Sequence, residues 1–202
     1  MTATEPILLR FGEHPSPRAL AGVSAVSVTG SADIDDAAAA ASRLVVAGSD
    51  ADLAAVLTRL LRTDRLGVEV AHLTGRRAAR RALTAAAQRV PLIRDETGQV
   101  IVGHGLWQPA PEESALEGEG IVDDTVLFDG FVAAVRIEPM HTMPGLRARV
   151  ELGRFRTGGW VTGRAAQLGT AGATVVRDGI TAPRPVRRST FYRHIEGWLR
   201  VG

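Results

Sequence analysis

The segment Gly48-Ser49-Asp50-Ala51-Asp52 stands between the apolar run Leu44-Val45-Val46 and the apolar Leu53. A turn of small residues there joins a short buried strand to a helix. Backbone N–H groups at such a helix start hold anions, and the helix dipole favours negative charge beside them. Asp123, Asp124 and Asp129 form a second carboxylate group, at and within a β-prone run, where a solvated turn is the ordinary reading. Asp178-Gly179 has the sequence of a tight hairpin turn. The histidines His14, His72, His104, His141 and His194 are dispersed, and none forms the i, i+4 pair of a helical zinc site. No Gly-x-Ser-x-Gly elbow occurs, which disfavours an α/β-hydrolase.

What is missing excludes more. The chain has no lysine, asparagine or cysteine, and all 24 basic side chains are arginine. A phosphate-loop ATPase needs a lysine, and so does Schiff-base catalysis. Thiol catalysis, disulfides and thiolate metal sites need cysteine. The charge is uneven. Residues 111–138 hold eight acidic side chains against Arg136, whereas 139–202 hold eleven arginines against Glu151, Asp178 and Glu196. The segment from Pro183 to Arg193 concentrates arginines at Arg184, Arg187, Arg188 and Arg193, and nucleic-acid binding through it is one reading. No aromatic-interleaved signature accompanies it, with nine aromatics in all (three Trp, one Tyr, five Phe), which speaks against that reading. Mutual neutralisation of the two segments within one fold is the simpler expectation, and a strand at Trp198–Val201 would close the C-terminal domain.

A parallel layer must position the first turn. Pro6 to Phe11, Val23 to Val28, Arg43 to Ala47 and Leu66 to Leu73 read as strands. They alternate with helices over Ala32 to Ser42, from Asp50 through Leu61, and over Arg76 to Arg89. In the second helix Leu53, Val56, Leu57, Leu60 and Leu61 fall at i, i+3, i+4, i+7 and i+8, with Asp50 at its cap. Beyond residue 108 helical periodicity gives way to short β-prone runs split by Gly and Pro. The expected fold is α/β: residues 1–108 a small parallel layer, residues 109–202 an all-β, antiparallel sandwich-like domain. No apolar run is long enough to span a bilayer. Met1 to Arg10 lacks the basic start of a signal peptide, so the expected location is the cytoplasm.

Four segments in this order resemble the diacylglycerol kinase, sphingosine kinase and NAD kinase superfamily. Gly48 and Asp50 match its Gly-Gly-Asp-Gly-Thr nucleotide loop, with Ser49, Ala51 and Asp52 in place of Gly, Gly and Thr. His72-Leu73-Thr74-Gly75-Arg76-Arg77 is similar to the lipid-kinase Pro-Leu-Gly-Thr-Gly-Asn-Asp segment. There Thr74 and Gly75 match, and Arg76 and Arg77 replace Asn and Asp. Ile121 to Asp129 and Val175 to Gly179 resemble two stretches of the family's β domain. The resemblance implies nucleotide contact through Gly48, Ser49, Asp50, Asp52, Thr74, Gly75, Arg76 and Arg77, with Asp124 as general base. The implied activity is phosphoryl transfer from Mg²⁺-ATP to a lipid or small-molecule hydroxyl, and a nucleotide or phospholipid is the implied ligand. Ser49 and Ala51 add Cβ atoms where phosphates approach the backbone, and Asp52 adds a carboxylate. The expectation is therefore a divergent, non-catalytic or repurposed member that binds a ligand or partner, with a homo-oligomer formed through the β domain.

Overall fold

The computed structural model describes residues 5–13, 17–75, 78–153 and 156–202. The chain divides into two compact units, residues 1–90 with 196–202 and residues 91–195. The boundary expected at 108 thus falls inside the second unit. The first elements are β1 (Ile7–Phe11), β2 (Ser24–Val28), α1 (Ser31–Ala40), β3 (Arg43–Ala47) and α2 (Asp50–Arg62). Next come β4 (Glu69–His72), α3 (Ala78–Thr84), β5 (Ala87–Val90), β6 (Ile93–Asp95), β7 (Val100–Ile101) and β8 (Gly105–Pro109). β9 (Leu116–Val122), β10 (Thr125–Val132), β11 (Ala134–Pro139), β12 (Leu146–Glu151) and β13 (Val161–Gly163) follow. The chain ends with β14 (Ala165–Arg177), β15 (Ile180–Thr181), β16 (Val186–Arg193) and β17 (Trp198–Val201).

The first unit is one six-stranded sheet in the order β2-β1-β3-β4-β17-β5. Every neighbouring pair is parallel except β17 with β5. β3 lies at its centre, and Leu44, Val45 and Val46 are wholly buried. A strand covered on both faces reads as an unbroken apolar run. Val45 and Ala47 pack with Leu8, Leu20, Ala71, Ala79 and Ala82 on one face. Strand alternation turns Leu44, Val46 and Leu9 to the other face. In α2 the residues Leu53, Val56, Leu57 and Leu60 are buried, the stripe the spacing predicts.

Two expectations fail in this unit. The helix expected over 76–89 ends at Thr84, and Ala87–Val90 is a strand paired antiparallel with β17. The physical cause is Arg43, whose guanidinium donates to the carbonyls of Ala82, Leu83 and Ala85 and closes the helix end. β17 does not close the β domain. It enters the parallel sheet between β4 and β5.

The second unit is an eleven-stranded, antiparallel sheet. Its long β14 pairs with β8, β9, β15 and β16 and ties the branches together. Its core holds Trp107, Val135, Ile137, Leu146, Val175 and Phe191. Trp107 Nε1–H donates to Ser189 Oγ at 3.0 Å, satisfying the one polar atom of a fully buried indole. Asp95 is also fully buried. It accepts from Thr97 N–H, Thr97 hydroxyl and Gln99 N–H, and pairs with Arg177 at 2.5 Å. A parallel α/β layer together with an antiparallel β unit is the expected fold class. Among the described residues no helix is long and apolar enough to cross a membrane.

Candidate functional site

The Gly48 turn joins the carboxyl end of β3 to α2, at the edge where open parallel sheets bind ligands. Ser49, not Asp50, is the residue that caps α2; Asp50 is the first residue of the helix. Ser49 Oγ accepts from Asp52 N–H at 3.3 Å, while Asp52 Oδ2 accepts from Ser49 N–H at 2.7 Å and Ser49 hydroxyl at 2.8 Å. This reciprocal box satisfies donors that a helix otherwise leaves free. Gly48 is needed for closeness. A Cβ placed on it would lie 2.6 Å from Asp52 Oδ2. The glycine thus admits the protein's own carboxylate, where the family resemblance implies a phosphate.

His72 ends β4 and reaches across to this turn. Its Nε2 lies 2.9 Å from the Gly48 carbonyl, an acceptor, so Nε2–H is the donor. Nδ1 lies 3.8 Å from Asp50 Oδ1, with the imidazole largely covered and Asp50 half exposed. Leu73 N–H donates to Val46 carbonyl at 2.9 Å. The structure therefore brings Gly48, Ser49, Asp50 and Asp52 beside the start of the second motif. The sequence shows His72 as one of five dispersed histidines and as the first residue of the His72–Arg77 segment, with no role of its own. The signal that could have found it is its place at the end of a strand, opening the His72-Leu73-Thr74-Gly75 segment.

Thr74 and Gly75 are exposed, and the Gly75 carbonyl accepts from Ala78 N–H at the start of α3. A Cβ on Gly75 would meet nothing within 4 Å, so no close approach demands this glycine. Arg76 and Arg77 lie outside the described residues, as does His14.

Asp124 belongs to the second unit, on the two-residue turn joining β9 to β10, and is exposed. Its neighbour Asp123 has a left-handed φ of 49°, and its carboxylate accepts from Arg164 N–H at 2.9 Å and Ala165 N–H at 3.0 Å. Asp123 is a backbone clamp. Asp178 works alike: with Gly179 it forms the turn between β14 and β15, both with positive φ. Its carboxylate accepts from Val102, Gly103 and His104 N–H.

Three carboxylates elsewhere are held below the ordinary range. Asp35 is lowered by its hydrogen bond from Arg59. In the parallel layer, Asp33 is lowered by Thr29 N–H, then by Thr29 hydroxyl and Gly30 N–H. At Glu138 burial pushes upward, but hydrogen bonds from Arg136 and Arg147 outweigh it and lower the pKa.

No family model matches the chain, and no curated protein matches it. Solved structures do match. One is a Bacillus anthracis (strain Sterne) protein provisionally named a diacylglycerol kinase. It superposes with a TM-score of 0.75 at 10% identity, covering 100% of this chain and 97% of that one. A diacylglycerol kinase structure from the same strain gives 0.72 at 10% identity, covering 95% of each chain. An NAD kinase from Archaeoglobus fulgidus, solved in complex with ATP, gives 0.66 at 11% identity, covering 98% of this chain and 93% of that one.

Proposed function

We propose that this chain, which has the fold of those diacylglycerol kinase and NAD kinase structures, is a divergent lipid-kinase-like protein that is non-catalytic or repurposed for binding a ligand or partner. The Asp52 carboxylate, folded back on Ser49 beneath Gly48, carries the reading. A phosphate at this helix end would need the Ser49 N–H and the space above Gly48, and both are taken. It would also meet a like charge. At about 4 Å and an effective dielectric near 20, one pair of unit charges repels by about 4 kcal/mol. Mg²⁺ is usually held by one or two carboxylates together with the phosphates, so it would offset that repulsion without freeing the Ser49 N–H or the space above Gly48. The residues here do not fit ATP with Mg²⁺ in the manner the resemblance implies, and no phosphoryl-transfer step is derived through them.

The test is thermal unfolding of the full chain with Mg²⁺-ATP, ADP or NAD. The expected result is no rise in melting temperature. A ligand at about a hundred times its dissociation constant would stabilise the fold by about 2.7 kcal/mol, an easily measured shift. Such a shift with Mg²⁺-ATP, together with ADP release on adding diacylglycerol, would overturn the reading in favour of an active kinase. In that event Asp124→Ala would abolish turnover if Asp124 is the base.

A further inference from the structure

β10 is an open edge of the antiparallel sheet. It pairs with β9 and, among the described residues, with no other strand, while β9 goes on to pair with β14. An edge strand presents a row of unpaired backbone N–H and C=O groups, a template for one more strand. Proteins commonly protect such edges by keeping them short. The strands at the two ends of the main path are short, β13 with three residues and β7 with two. β10 has eight.

Its outer face is acidic and aromatic. Alternation turns Leu116 and Val122 of β9 and Phe128 and Val132 of β10 into the core, and Glu117, Glu119, Asp129 and Phe131 outward. The register sets Asp129 directly opposite Glu119, where like charges repel, and Phe131 opposite Glu117. None of these three carboxylates pairs with an arginine among the described residues. Phe131 is 70% exposed, an unusual state for a phenylalanine. Glu112 and Glu113 join Glu117 and Phe131 around a recess at this end of the strand.

We propose that β10 is a docking edge for a basic strand of another protein, which adds to the sheet with arginine or lysine at every second position. Backbone pairing supplies the attachment and the alternate side chains the selectivity. A basic side chain on the outer face stands beside Asp129 and over the Phe131 ring, which attracts cations. Glu117 and Glu119 lie one strand farther, at two strand spacings or about 10 Å, within the joint reach of an arginine and a glutamate. A second copy of this chain is the poorer occupant, because two β10 edges would set Asp129 and the glutamates against their like. The edge lies in the antiparallel unit and is independent of the Gly48 turn, so its failure would leave the nucleotide reading as it stands.

Fluorescence anisotropy of a labelled peptide that alternates arginine and threonine over the length of β10, titrated with the full chain, tests this. The peptide is expected to bind at low ionic strength and to weaken as salt screens the exposed carboxylates. A peptide with glutamate in place of arginine is expected not to bind. N-methylation separates strand pairing from charge, since a strand turns its N–H groups to alternate sides. One form carries the methyl groups on its arginines and the other on its threonines; one is expected to lose binding and the other to keep it. E117Q/E119Q is expected to weaken binding by about tenfold or more. It should also raise the melting temperature, because it relieves the repulsion with Asp129, and circular dichroism checks its fold. No binding of the arginine peptide would overturn the proposal, as would undiminished binding of both N-methylated forms or by E117Q/E119Q. A wild type that dimerises in sedimentation equilibrium and then takes no peptide would give the edge to a second copy instead.

Discussion

Two helix starts in the parallel layer invite comparison, because one resembles a nucleotide loop and the other resembles nothing in particular. At α1 the Asp33 Oδ2 atom accepts from Thr29 N–H at 2.7 Å, Thr29 hydroxyl at 2.9 Å and Gly30 N–H at 3.0 Å. At α2 the Asp52 Oδ2 atom accepts from Ser49 N–H and hydroxyl in the same way. Both are aspartates in the third helical position turned back on the residues before the helix. The turns differ in what surrounds them. Gly48 is crowded by Asp52 and its carbonyl is held by His72, while a Cβ on Gly30 would meet nothing within 4 Å. The comparison teaches that likeness to a phosphate loop can survive in sequence while local capping chemistry fills the loop.

The largest expected contrast comes from the two glycines. Gly48→Ala should destabilise the fold by about 1–3 kcal/mol, because its methyl group must displace the Asp52 side chain. Gly30→Ser should be neutral or stabilising by a few tenths of a kcal/mol, since serine is at least as good an N-cap. Chemical denaturation measures both, and equal losses would erase the difference between the turns.

A smaller effect is expected from removing each carboxylate. Asp52→Ala should cost about 1 kcal/mol, the usual value of a lost cap, and Asp33→Ala should destabilise in the same direction. Thermal melts would show the first as a shift of roughly 2–4 °C. If Asp52→Ala were instead more stable than the wild type, Asp52 would be a functional residue held at a cost to stability, and the likeness to Asp33 would break.

The smallest effect concerns pH. The folded-state pKa of Asp33 is depressed, first by the Thr29 N–H bond. Its contribution is therefore complete above the ordinary aspartate pKa and is lost as pH falls through the lower folded value. As pH falls below about 4, Asp33→Ala should flatten the fall of the urea midpoint relative to wild type. An unchanged slope would show that the Thr29 bonds do not bind the charged form preferentially.

How much of this could be read beforehand follows from the range of each interaction. β3 and α2 were legible because burial writes a local pattern, a continuous apolar run and a 3.6-residue stripe. The alanine-rich stretch after Gly75 was not, because alanine suits either environment and carries no stripe. Its helix stops where Arg43, some forty residues away in sequence, reaches the carbonyls. The pairing of Val90 with Trp198 joins residues more than a hundred positions apart, and nothing near either announces it. At the turn, the sequence puts Gly48 and Asp52 together at a helix start, where the resemblance implies nucleotide contact. That the occupant is the Asp52 carboxylate itself depends on one side-chain rotamer, which residue spacing does not specify. The expected mutual neutralisation of 111–138 and 139–202 holds for Arg147 with Glu138 and not for the arginines of the 184–188 stretch.

The position of β17 bears on how the molecule is made. Synthesis runs from the amino end, and every strand of the antiparallel unit has been delivered before Trp198 leaves the ribosome. Until then β4 and β5 face a gap one strand wide, with unpaired backbone on both sides. The unit encoded mostly first is thus completed last, and during that interval its open slot can accept any stray extended peptide.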